Sequence, residues 1–237
     1  MLLLAIDTSG DIASLALATE ETLVTELDFR HKMDLLKRLM PNIERIVTDS
    51  GKLASDLDGI VISLGPGSFT GLRIGMAAAK SLAHVLDKPI VGIKTLDLLA
   101  HGASAAYPKS IIPLIHARPG EVFWAIYDSQ NGVVNKVTED KLSPLEDVIE
   151  EVKKKDGVFC GSGAERNRDV LAAEFGKSSI LDDWFNIPHG SVLAVLGIER
   201  LARGDSDDVM SIAPNYIQKP TPTIRLMVSG KGFPDTT

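Results

Sequence analysis

Two short stretches gather residue types that could do chemistry, and the second of them could hold an anion. Asp7-Thr-Ser-Gly-Asp11 brings carboxylates and hydroxyls together in what reads as a turn between strands. Gly65-Pro-Gly-Ser-Phe-Thr70 follows an apolar run over residues 60–64 and opens a helical pattern. Gly65 and Gly67 allow positive φ or a close approach to another group, and Ser68 or Thr70 can cap the helix. The first helical N–H groups would then point at whatever lies ahead, as at a phosphate site. Without a ligand, the same residues make a compact strand-to-helix corner and an ordinary hairpin turn. A P-loop would need lysine and a hydroxyl after its last glycine, whereas Gly71 is followed by Leu72 and Arg73.

Other chemistry finds little support. The five histidines are His31, His84, His101, His116 and His189, and no two are four apart, so no helix face carries an imidazole pair for a divalent metal. Cys160 is the single cysteine and has no motif around it, and no G-x-S-x-G is present. No metal site and no catalytic residue are therefore assigned. Lys153-Lys-Lys155 falls at a helix C-terminus, where cations suit the dipole without any ligand.

Strand signals cover residues 2–8, 12–19 and 22–29, and a helical period covers 31–50 with Gly51 as its stop and Pro41 as a kink point. The central strand and the helix over 69–86 follow, then a strand at 89–93 and a helix over 96–106. The second half begins with a hairpin, 111–116 and 122–127, turning at Pro119-Gly120 in a type II manner. A strand near 133–138, helices over 145–155, 164–175 and 191–202, a short strand at 158–160 and an extended 214–218 complete the order. A three-strand meander followed by strand–helix alternation predicts an α/β protein with mixed sheets flanked by helices. The expected lobes span 1–107 and 108–220, with helix 191–202 returning to the first lobe and a frayed tail over 221–237.

The helix over 69–86 carries Gly71, Gly75 and Ala79 at every fourth position. Each glycine costs about 1 kcal/mol against alanine, so a close backbone approach is expected in return. Arg73 stands in the first turn, where the dipole disfavours a cation, so it reaches a partner or simply lies in solvent. The expectation is that Leu36, Leu39, Ile43 and Ile46 of the earlier helix and Gly71, Arg73, Gly75 and Ala79 of this one form a partner interface. On that reading Gly75→Leu would weaken association and spare the fold.

Across 237 residues, 25 lysines and arginines face 32 acids, giving a net charge of −7 that opposes a large nucleic-acid footprint for the chain alone. One cysteine suits a reducing cytosol. The start lacks the basic n-region of a signal peptide, and no apolar run is long enough to span a bilayer.

Taken together, Leu4-Ala-Ile-Asp-Thr-Ser9, Gly65-Pro-Gly-Ser-Phe-Thr-Gly-Leu-Arg-Ile-Gly75, Pro89-Ile-Val-Gly-Ile93, Arg118-Pro-Gly-Glu-Val-Phe-Trp-Ala125 and Pro214-Asn-Tyr-Ile217 resemble the TsaB (YeaZ) family. The resemblance implies an actin/hexokinase-like (ASKHA) fold of two lobes. It also implies an accessory role in making threonylcarbamoyladenosine in tRNA, beside a TsaD-type catalytic paralogue and a TsaE-type ATPase. Such a chain needs no cofactor of its own, and ATP or ADP would belong at the complex interface. Asp7, Thr8, Ser9, Gly65, Gly67 and Ser68 would be a vestigial nucleotide site. The helices over 32–50 and 69–86 would pair with the paralogue, or with a second copy when the chain is alone. Tyr-Ile217 is followed by Gln218 where arginine is usual, and Ala117-Arg118 is preceded by His116 where aspartate is usual. A sugar or acyl-phosphate kinase of the same superfold is the alternative, with Asp7 and the turn at 65–70 holding ATP.

Overall fold

A computed structural model describes residues 1–31, 33–104, 107, 110–130, 132–215 and 217; the expected tail and Gln218 lie outside them. The first sheet comprises β1 (Leu2–Asp7), β2 (Ile12–Thr19), β3 (Leu23–Arg30), β4 (Gly59–Gly65) and β5 (Ile90–Lys94), in the order β3-β2-β1-β4-β5. β1 to β3 form the antiparallel meander, while β4 and β5 run parallel to β1 and to each other. β1 is apolar up to Ile6 because both its faces are covered. Leu2, Leu4 and Ile6 pack under α1 (Leu35–Asp49) and α2 (Phe69–Leu86), whereas Leu3 and Ala5 face the opposite layer. That layer holds α3 (Thr95–Ser104) and α7 (Gly190–Ala202), the last helix of the described chain, whose Leu193, Ala194 and Leu196 lie on the first sheet. α1 runs unbroken through Pro41 and ends before Gly51, whose φ of +67° takes the chain away.

The second lobe is built on β6 (Ser110–His116), β7 (Glu121–Trp124), β8 (Tyr127–Gln130), β9 (Val133–Lys136), β10 (Lys141–Pro144) and β11 (Gly157–Cys160). β6 and β7 form the expected hairpin, with Gly120 at φ +81° and the Glu121 N–H donated to the Arg118 carbonyl at 2.9 Å. β7 and β8 keep one register against β6, so the partner strand expected over 122–127 runs on to Gln130. It is interrupted at Ile126, whose N–H donates to Thr138 Oγ1 and whose carbonyl accepts from Val137 and Thr138. β10 pairs antiparallel with β7 and was not foreseen; four residues ending in a proline carry too weak a strand signal. α4 (Leu145–Val152) stops ahead of the three lysines. The helix expected over 164–175 is two, α5 (Ser162–Arg166) and α6 (Arg168–Phe175), broken at Asn167, whose side-chain amide donates back to the Gly163 carbonyl at 2.7 Å. No helix among the described residues is long and apolar enough to cross a membrane.

Candidate functional site

The first turn and the strand-to-helix corner meet, and they meet each other. Ser68 N–H donates to the Ser9 carbonyl at 2.7 Å, and Thr8 Oγ1 donates to the Gly71 carbonyl at 2.9 Å. A Cβ at Gly67 would lie 2.3 Å from the Ser9 oxygen, one at Gly71 2.2 Å from the Thr8 carbonyl, and one at Gly75 2.1 Å from Thr8 Oγ1. The glycines at every fourth position thus admit the chain's own β1–β2 turn. This corrects the expectation that Gly71, Gly75 and Ala79 face a partner, because Ala79 is also fully buried in the first core. Leu39, Ile43 and Ile46 are core residues too, whereas Leu36 is 73% exposed. Gly75→Leu would drive its side chain into Thr8 and so disturb the fold. Arg73 is exposed, with its guanidinium stacked 3.8 Å from the Phe69 ring centroid, one helical turn back. That cation–π contact accounts for a cation in the first turn.

Ser68 is the N-cap of α2, and its Oγ accepts from the Gly71 N–H at 3.2 Å. Gly65 has φ +96° and precedes a cis bond to Pro66. Beneath this corner Asp7 is completely buried. Its Oδ2 accepts from the Ser9 N–H at 3.3 Å and the Ser9 hydroxyl at 3.2 Å, while Oδ1 has no hydrogen-bond partner. Burial pushes its carboxyl up to about 6, opposed in part by the Ser63 and Ser9 hydroxyls and the Ser9 N–H. Ser63 Oγ and Thr95 Oγ1 are likewise buried without a well-formed hydrogen bond. All three lie where β1, β4 and β5 end, the edge at which open α/β sheets bind ligands.

In front of that edge a cleft of about 770 Å³ separates the lobes. The first lobe contributes Ser9, Asp11, Pro66, Gly67, Ser68 and Thr95. From the second come His116, Arg118, Ser162, Glu165, Arg166 and Asn186. The His116 N–H donates to Ser162 Oγ at 3.2 Å, and Asn186 Oδ1 accepts from the Gly161 N–H at 2.7 Å. Burial first and the Arg166 charge second hold the His116 imidazole below its usual range. Of the six residues expected to form a nucleotide site, Ser9, Gly67 and Ser68 line the cleft, Asp7 and Thr8 lie behind it, and Gly65 only turns the chain. Sequence reasoning missed Thr95, Glu165, Arg166 and Asn186, which no local motif marks.

The cleft's volume suits a small molecule, but its phosphate cradle does not. The space left by Gly67 is taken by the Ser9 carbonyl, and the Ser68 N–H and hydroxyl are both engaged inside the chain. Ser9 also occupies one Asp7 oxygen. These residues do not fit a nucleotide phosphate as they stand. Cys160 is buried, and burial pushes its thiol up to about 12, which makes it an inert core residue.

Known proteins are similar to this chain over most of its length. A family model described as TsaD, tRNA N6-adenosine threonylcarbamoyltransferase, matches residues 32–225. The "tRNA threonylcarbamoyladenosine biosynthesis protein TsaB" of Bacillus subtilis is 33% identical over 221 residues, covering 92% of this chain and 94% of that protein. The protein of the same name from Escherichia coli is 31% identical over 226 residues, covering 92% and 95%. The solved structure of YeaZ from Pseudomonas aeruginosa superposes with a TM-score of 0.78 at 27% identity, covering 91% of this chain and 99% of that one. The two-lobed fold is the actin/hexokinase-like one that the motifs implied, and with relatives matched over nearly their full length, the chain belongs to the TsaB (YeaZ) family.

Proposed function

We propose that this chain is an accessory subunit in the synthesis of threonylcarbamoyladenosine on tRNA, binding and activating a TsaD-type catalytic paralogue in the cytosol. The observation that carries the reading is that relatives matched over more than nine-tenths of this chain are named for that pathway. This chain's glycine corner is closed by its own backbone, and its thiol is buried. The chain is assigned no catalytic residue and no cofactor; ATP or ADP belongs to the complex, where a TsaE-type ATPase is the further partner. tRNA is reached through the complex, consistent with a net charge of −7.

The partner surface is the outer side of α1 and α2. Leu36 is 73% exposed, Met40 45%, Phe69 42% and Val85 79%, and the Arg73–Phe69 stack stands beside them on α2. Apolar side chains of this size on the solvent side of two adjacent helices suit a helical partner, the paralogue or a second copy of this chain when it is alone. Leu36→Asp with Met40→Asp should leave folding intact, because both side chains lie outside the core, and abolish co-purification with the paralogue and reconstituted tRNA modification. Unchanged modification by that variant would place the interface elsewhere. Substrate-dependent ATP consumption by the purified chain alone would favour the kinase alternative.

A further inference from the structure

On the opposite side of the first sheet, two residues of one strand and a third far along the sequence aim ligand atoms at one point. Glu26 and Asp28 stand two residues apart on edge strand β3 and so project from the same face. His189 immediately precedes α7 and is buried. Its Nδ1 lies 3.4 Å from Asp28 Oδ2 and 3.8 Å from Glu26 Oε1, and one ligand atom from each residue falls within 4.8 Å of the others. A tetrahedral ion with bonds of about 2.0–2.2 Å to nitrogen and oxygen sets its ligand atoms roughly 3.3–3.5 Å apart. The cluster is close to that spacing already.

The surroundings orient all three groups. His189 Nε2 lies 3.1 Å from the Trp184 carbonyl, which can only accept, so Nε2 carries the proton and Nδ1 is the atom turned to the carboxylates. A ligating imidazole commonly gives its second N–H to a backbone carbonyl in this way. Asp28 Oδ1 accepts from the Ser14 hydroxyl, which itself accepts from the Gly190 N–H at 2.7 Å. The hydroxyl and N–H of Ser191 hold Glu26 Oε1, both at 2.9 Å. Asp28 is on the exposed side, leaving a direction open for water as a fourth ligand.

We propose that Glu26, Asp28 and His189 form a binding site for a divalent ion of the zinc class. The ion would staple the edge of the first sheet to the segment before α7. That segment includes Asp183, Asn186, Ile187 and Pro188, which line the cleft, so metal at the edge steadies one wall of the cleft. This set of two carboxylates and one imidazole from separated positions is unlike the paired imidazoles of a single helix that the sequence lacks.

The structure supplies its own reporter, because the exposed Trp184 ring stacks on His189 with centroids 4.7 Å apart, while the other tryptophan, Trp124, is fully buried in the second lobe. The test is calorimetric titration of the full chain, stripped of metal, with Zn²⁺, paired with Co²⁺ titration followed by visible absorption and Trp184 fluorescence. One equivalent should bind with micromolar or tighter affinity, with fluorescence quenched by Co²⁺ and the quenching lost in Trp184→Phe. Asp28→Asn and His189→Asn should each weaken binding at least about tenfold, and His84→Ala, on exposed α2 surface, should not. Circular dichroism checks each variant, and Asp28→Asn decides the matter if His189→Asn fails to fold. No saturable binding, or binding unchanged in a folded Asp28→Asn, would overturn the proposal and leave the cluster as an ion pair held by a proton.

Discussion

Thr8 and Gly75 are a matched pair, and the match sets what either position can accept. A Cβ at 75 would meet Thr8 Oγ1 at 2.1 Å and Cβ at 3.2 Å, so Gly75→Ala should cost about 1–3 kcal/mol in chemical denaturation through overpacking. Thr8→Ala removes the closer atom and also the hydrogen bond to the Gly71 carbonyl. The double variant should therefore lose clearly less stability than the two single losses added, and strict additivity would mean that the close approach does not set the glycine. Asp7 makes a second case. Its folded carboxyl titrates at about 6 against an ordinary 3.8, because burial disfavours the charge. Between about pH 4 and pH 6 the folded chain holds a proton that the unfolded chain has released, so stability at this site falls as pH rises through that window. Asp7→Asn should then stabilise the chain by about 1–3 kcal/mol at pH 7 and by almost nothing at pH 4. A loss of stability at pH 7 would instead show that the ionised carboxylate is needed where it stands.

At the scale of elements, α2 was legible from its sequence with both ends correct. Its apolar period, the Ser68 cap and the turn before it all agree, and Ser68→Ala should cost roughly 1 kcal/mol by leaving the Gly71 N–H uncapped. The measured unfolding free energy would show it; no change would mean that water replaces the hydroxyl at no cost. The face that α2 turns inward was not legible. A row of small residues says only that something comes close, and the β1–β2 turn is 63 residues away from Gly71. β7 and β8 show a similar limit, since their interruption at Ile126 depends on a residue of a later loop, Thr138, taking its N–H. The run 164–175 looked like one helix because nothing in its composition announces the break at Asn167.

At the scale of the whole molecule, the charge of −7 sets an expectation for RNA. Binding of tRNA by the isolated chain should be weak at about 150 mM salt, with few phosphate contacts and a shallow salt slope. Sub-micromolar affinity in a filter-binding or anisotropy measurement would overturn it. The lobes are also joined through charge. Lys94 at the end of β5 pairs with Asp140 at 2.9 Å, and Lys136 of β9 with Asp97 of α3 at 2.8 Å. Lys136 pairs with Asp140 as well, which links the two contacts in one partly buried chain.

What the sequence determined by itself was most of the order of elements, though not β10 or the break between α5 and α6, together with the two-lobed fold and the family, because periodicity, turn chemistry and motifs are written in neighbouring residues. What only the tertiary structure decided was which groups meet: Thr8 with Gly71 and Gly75, Ser9 with the glycine corner, Glu26 and Asp28 with His189. The same applies to which apolar residues remain outside, as Leu39 and Ile43 are consumed by the core while Leu36 and Met40 are not. The physical reason is that helical spacing shows that a stripe will be buried, but only the packed sheet beneath it determines how wide that stripe is and what it touches.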